Sequence, residues 1–594
     1  MRPTRTLSYL TAGLMVLSAG ATHALAQARD RIGLLEITGT PTDAPSPLAW
    51  LFGEAEPTLS ELVDAIENAQ AEHNLDHLVL RLKDAALSWS IVDELGQAIE
   101  HVDIPVTVYA EQMGPTDLML ASYADTSMIQ KAGDVSLPGL YMEEMFLANT
   151  LDWVGLKAQL IQVGAYKGAN EQMTRAEPSE AWNQNINSLL DSLYGHMVGT
   201  LADGRGTDAK GVENAMKTLW MANAEDAVET GMVDQAIDLP DLGEALAGEG
   251  ANPRWITLNA GHEGTALDMA NPFAMIQMLA EEPDVQLTGP TIAVLHLSGT
   301  IMTGDSGEAG LFGGSKTIGS RSVRNELKQL ADNDLVQAVV LRIDSPGGSA
   351  TASEIIWQGV QDLRKSKPVW VSIGNLAASG GYYIAVAGEK IYTNPSSIVG
   401  SIGVVGGKIS MTELYDTLKI NVVGRARGPR ADMFASAEPW NDQQVSIVRN
   451  KMAETYEQFT GRVTQGRPGI DLSKTAEGRL FLGKDAVGLK MSDEVGSLDD
   501  AVTDLAQHVG LTNYDVRHFP GPKALTEIIE EAMGGFMGAN APTASDASNL
   551  PIVRAVRAAV GEQTWTQIVH SLNSFSLLRE EPVVLTAPSV VTFR

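Results

Sequence analysis

The chain has 594 residues, 44% hydrophobic and 20% charged, which excludes a disordered protein and leaves room for several domains. A formal net charge of −32 argues against nucleic acid or anionic membrane surfaces as electrostatic partners. With no cysteine in the sequence, disulfides, thiolate nucleophiles and cysteine zinc sites are excluded.

At the N-terminus, Arg2 and Arg5 precede an apolar run, Leu7–Gly20, and Ala24-Leu25-Ala26 follows it. This is the layout of an export signal cleaved after Ala26, or of a retained anchor stretched over residues 7–26. From there the chain repeats itself at an offset of about 260 residues. Arg31–Thr40 matches Thr291–Thr300, Leu78–Leu82 matches Val339–Ile343, Val163–Gly168 matches Val423–Gly428, and Asp226-Ala-Val matches Asp485-Ala-Val. In each copy apolar runs alternate with helical patterns, which predicts βαβ units and a largely parallel sheet. The expected layout is two α/β domains, 29–245 and 288–510, joined by a connector, 246–287, with a short apolar helix near Pro272–Leu279. An extension, 511–594, follows, with a Gly-, Ala-, Ser- and Asn-rich linker at 534–550 and a helix within 551–580.

The second copy carries three Gly-rich turns after strand-like runs: Ser345-Pro-Gly-Gly-Ser349, Ala378-Ser-Gly-Gly381 and Gly400-Ser-Ile-Gly403. Ala338–Ile343, apolar apart from Arg342, reads as a buried strand, and Trp370–Ile373 repeats the design. Ser379 falls where the next helix begins. A hydroxyl there, facing the bare amides of Gly347 and Gly348, suits a nucleophile and its oxyanion hole. No G-x-S-x-G elbow is present, and no serine has lysine three residues later.

The first copy lacks these features. It has Asp84-Ala-Ala-Leu-Ser88 in place of the Pro-Gly-Gly turn, and Pro115 falls opposite Ser379. Conversely, it has Lys167 where the second copy has Arg427. Complementary losses of this kind predict one composite site across the two domains.

A serine nucleophile needs a base, and no histidine lies between 297 and 507. Lysine remains, provided burial strips its proton near neutral pH. Lys167 follows an apolar stretch and meets no acid before Glu171; Lys408, closing the third turn, is the alternative from the same domain as Ser379. Ser401 either orients the amine or caps the turn it opens.

These blocks, AASGGYYIA, GSIGVV and VGAYKGA, together with the SPGG turn and the tandem repeat, resemble the signal peptide peptidase A (protease IV) family in its double-length form. The resemblance implies tandem ClpP/crotonase-like domains and a Ser–Lys serine endopeptidase without metal or cofactor. Ser379 would be nucleophile, Lys167 base and Ser401 the lysine-orienting hydroxyl, with the Gly347/Gly348 turn and the Gly380 amide as oxyanion hole. It further implies a homotetramer, periplasmic and at the bacterial inner membrane, degrading released signal peptides and other unfolded apolar peptides. The sequence departs from the family at Asp344, where asparagine is usual. Two alternatives are a crotonase-type acyl-CoA hydratase or isomerase, which would need placed carboxylates and no serine nucleophile, and a catalytically inactive scaffold at the membrane face.

Overall fold

A computed structural model describes residues 30–44, 57–260, 287–307, 316–521 and 583–586. The N-terminal signal or anchor, the helix near Pro272–Leu279, the 534–550 linker and the 551–580 helix lie outside the described residues.

The duplication appears as two sheets of the same design. In the first, the order across the sheet is Gln235–Ala236, Thr126–Ile129, Val106–Ala110, His77–Ala85, Arg31–Gly39, Arg254–Leu258, all parallel. In the second it is Leu480–Leu482, Ile398–Gly400, Val369–Ala378, Val336–Ser345, Thr291–Ser298, Asp515–Phe519; only the first of these is antiparallel to its neighbour. The registers repeat as well: Gly33 lies opposite Leu78, and Ala293 opposite Val339. Each sheet also has an edge strand, Arg254–Leu258 or Asp515–Phe519, beyond the stretches where the sequence is visibly self-similar.

Parallel strands covered by helices on both faces must be apolar throughout, because no face meets water. Val336–Ser345 fits this rule: Ala338, Val339, Val340, Leu341 and Ile343 are fully buried. Helix starts are also duplicated. Ser88 caps the helix Trp89–His101, and Ser349 caps Ala350–Leu363, each hydroxyl accepting the backbone N–H three residues on.

A third sheet joins the two units. Its order is Thr317–Gly319, Thr300–Met302, Gly347–Ser349, Val583–Thr586, Val404–Ser410, Lys157–Val163. The last pairing crosses the repeats: Lys157–Val163 runs antiparallel to Val404–Ser410, with Val163 opposite Val404 and Lys157 opposite Ser410. Leucine and isoleucine at 160 and 161 give this strand an apolar centre to bury.

The units also share a buried polar contact. Helix Trp89–His101 presents Asp93, which accepts from the Ser396 amide at 2.9 Å and hydroxyl at 2.5 Å, and Glu94, which accepts from Arg342 at 2.6 Å and Asn394 at 2.7 Å. Arg342 also reaches Asp43 at 2.8 Å. Burial would raise Asp43, but the guanidinium overrides it and holds the carboxyl below its usual range. The arginine that interrupts an apolar strand is thus the second unit's anchor for two first-unit carboxylates. Among the described residues no helix is long and apolar enough to cross a membrane.

Candidate active site

Ser379 stands between the strand Val369–Ala378 and the helix Gly380–Ala385, with φ 55° and ψ −111°. A side-chain-bearing residue held there costs about 1–3 kcal/mol, so its surroundings must impose the shape. They do so through its amide, which donates to the Gly400 carbonyl at 2.8 Å, and its carbonyl, which accepts from Tyr383 at 2.8 Å. The glycines that follow are required by packing. A Cβ on Gly380 would lie 2.7 Å from Ser353 Oγ, and one on Gly381 2.7 Å from the Ser345 carbonyl oxygen.

Lys167 comes from the other unit, in the loop after Lys157–Val163. Second-unit backbone fixes that loop: the Tyr166 amide donates to the Glu477 carbonyl at 2.8 Å. Gly478 packs so closely that a Cβ there would sit 2.3 Å from Lys167 Cα. Asn185, buried on the helix Glu180–Gly204, ties the contact together. Its amide nitrogen donates to the carbonyls of Tyr166 (3.2 Å) and Gly478 (3.3 Å), and its oxygen accepts from the Leu480 amide at 3.0 Å.

The result is a closed polar cluster. Lys167 Nζ lies 2.6 Å from Ser379 Oγ, 2.9 Å from Ser401 Oγ and 2.8 Å from the Ser401 carbonyl oxygen. All three residues are fully buried. Burial drives the lysine well below its ordinary pKa, and no carboxylate among the described residues offsets it. Burial thus favours the neutral form of the amine, which carries a lone pair. Ser401 is itself in the left-handed region, φ 52°, with its amide donating to the Arg479 carbonyl at 2.6 Å.

The three glycines of the expected oxyanion hole also converge. The Gly380 amide nitrogen lies 2.7 Å from the point where a Gly347 Cβ would be. The Gly347 amide donates to Ser345 Oγ at 3.1 Å, and Gly348 pairs with Ile301. Both glycines have positive φ, 99° and 154°.

Other candidates lie elsewhere. Lys408 donates to the Ala435 carbonyl at 3.0 Å and sits over the Trp440 ring. His196 pairs with Asp93, and His296 with His518, so neither pair serves Ser379. Asp344 accepts from Asn375 at 2.9 Å, and burial together with the nearby Asp43 pushes it up to about 6. Asn185 and the 477–480 turn gave no sequence signal, because their role depends on a neighbour some 290 positions away.

The sequence profile of Peptidase family S49 matches this chain twice, over 98–250 and 361–512. Relatives span most of its length. Protease 4 of Haemophilus influenzae is 29% identical over 84% of this chain and 82% of its own, and Protease 4 of Salmonella typhi is 26% identical over 89% and 87%. The chloroplastic serine protease SPPA of Arabidopsis thaliana is 25% identical over 75% and 65%. The two matches fall one in each unit, at the spacing of the duplication, and together cover half of the sequence: the chain is a serine peptidase belonging to peptidase family S49.

Proposed function

We propose that this peptidase works through a Ser379–Lys167 pair assembled from its two units. The 2.6 Å approach of Lys167 Nζ to Ser379 Oγ, in a fully buried setting, carries the reading. Ser379 donates its proton to the neutral amine and attacks a peptide carbonyl. The amide of Gly380 receives the negative charge on that oxygen, beside the Gly347/Gly348 turn whose Gly347 amide is held by Ser345 Oγ. Lys167 returns the proton to the leaving amine, and water then frees the acyl group by the same steps. Ser401 Oγ and its carbonyl hold two sides of the amine, leaving the third toward Ser379.

Substrates are extended apolar peptides, released signal peptides among them, cut on the periplasmic side of the inner membrane by a tetramer. The relatives named Protease 4 support cleavage of peptides and the export-type N-terminus supports the periplasmic side; the signal peptides and the tetramer rest on the family resemblance. The pH–rate profile of cleavage of a fluorogenic apolar peptide tests the mechanism. The rate should rise with pH as Lys167 loses its proton, and Ser379→Ala and Lys167→Ala should each cost about 10³-fold or more. Unchanged turnover in both variants would end it.

A further inference from the structure

Asn185 sits on the buried stripe of the helix Glu180–Gly204, among Trp182, Ile186 and Leu189. A carboxamide placed there must satisfy its donors and its acceptor inside the protein. All of them go to backbone: the nitrogen donates to the carbonyls of Tyr166 and Gly478, and the oxygen accepts from the Leu480 amide. Tyr166 immediately precedes Lys167. Gly478 and Leu480 flank Arg479, whose carbonyl accepts from the Ser401 amide at 2.6 Å. Leu480 lies opposite Gly400, whose carbonyl accepts from the Ser379 amide at 2.8 Å. One side chain of the first unit therefore holds the backbone that carries the amine, and stands one step from the backbone that carries each hydroxyl.

The helix that presents Asn185 is itself tied to the lysine segment. Ser179 caps it, and Glu171, four residues past Lys167, accepts from the Ser179 amide at 2.7 Å and from its hydroxyl at 2.6 Å. Both oxygens of the nearest following acid are thus engaged at the helix start. On the other side Arg479 stacks over the Tyr166 ring at 3.9 Å, and Glu477 is exposed and meets the loop through its carbonyl. Among the described residues, Lys167 Nζ bonds to two hydroxyls and a carbonyl and to no charged group.

We propose that Asn185 is a positioning residue for the peptidase reaction: its carboxamide clamps the Lys167 loop of the first unit onto the 477–480 turn of the second, and the amine reaches Ser379 only while this clamp is closed. The inference rests on the Ser379–Lys167 reading and adds to it the group that holds the pair in register. Asn185 bonds to neither the amine nor a hydroxyl, so it acts through the loop. Opening the clamp lets Nζ drift from Ser379 and lets water reach it. The first effect slows proton transfer, and the second restores the proton that burial removes.

Asn185→Ala, followed through the pH–rate profile on a fluorogenic apolar peptide, tests this. The limb that rises with pH should move up by about one unit, so that kcat falls about 30-fold on the limb and about 3-fold on the plateau above it, with KM changed less than about two-fold. A loss of folded protein alone would scale the rate equally at every pH and leave the limb where it was. Asn185→Ser keeps one short hydrogen-bonding group and should move the limb the same way by about half a unit, should the alanine variant not fold. Asn187→Ala, on the exposed face of the same helix, should change neither kcat nor the limb. A limb at the parent's position in either folded Asn185 variant overturns the proposal. Activity retained by Lys167→Ala would sink the clamp and the serine–lysine reading together, whereas activity lost there beside an unmoved Asn185 limb sinks the clamp alone.

Discussion

The two units share a sheet design, register and helix caps, yet differ at the points where chemistry is proposed. Beyond the helix Ala148–Trp153 the first unit sends Lys157–Val163 across the seam to pair with Val404–Ser410, and the loop that follows delivers Lys167 into full burial. The matching stretch of the second unit forms no strand. Leu418, Ile420, Val422 and Val423 are exposed there, and Arg427 reaches, among the described residues, only the carbonyl of its neighbour, Ala426. The reverse holds at the nucleophile. The second unit opens a helix at strained Ser379, whereas the first opens its counterpart at Pro115 with Gly114 as the cap and no hydroxyl. Duplication supplied two frames that differ at the positions proposed for the site.

The largest effect should come from making the units alike. Lys167→Arg copies the second unit's residue into the first. A guanidinium stays charged and accepts no proton, so activity should fall about 10³-fold, as with alanine, at every pH tested. Partial activity that still rises with pH would assign the base elsewhere.

Next comes the seam. Arg342→Met leaves Glu94 and Asp43 buried without their cation and should destabilise the protein by about 3–5 kcal/mol in chemical denaturation. A loss below 1 kcal/mol would mean that the units are held together without this network.

Asp344 gives a smaller, pH-dependent effect. Its carboxyl is raised to about 6 from an ordinary 3.8, so folding opposes its ionisation. That penalty is absent below pH 4 and complete only above pH 6. Asp344→Asn should therefore stabilise the protein by about 3 kcal/mol at pH 8 and by almost nothing at pH 4, read as Tm at the two values.

Smallest is the control: Arg427→Ala, at the exposed counterpart of Lys167, should stay within about 0.5 kcal/mol of the parent and leave kcat/KM unaltered.

Much of this asymmetry was legible in the sequence, because duplication lets a chain serve as its own comparison. Lys167 against Arg427 and Ser379 against Pro115 needed no structure to stand out, and alternating apolar runs implied the parallel sheets. Arg342 was visible as one charge in an apolar strand, but not its partners, since nothing local to 342 specifies Asp43 and Glu94 far upstream. Asn185 was hidden for the same reason. The tail strand was the hardest to foresee: Val583–Thr586 is four ordinary strand-forming residues, and only the open slot between Gly347–Ser349 and Val404–Ser410 gives it a place.

The pairing of Lys157–Val163 with Val404–Ser410 has one more consequence. The proposed base and nucleophile are 212 residues apart, and the loop that carries Lys167 is fixed by second-unit backbone. A half-made or half-folded chain would therefore carry an idle amine or an idle alcohol, and would be harmless to the polypeptides around it. Hydrolysis would begin only when the second frame closes on the first, so in this molecule activity would certify that folding is finished.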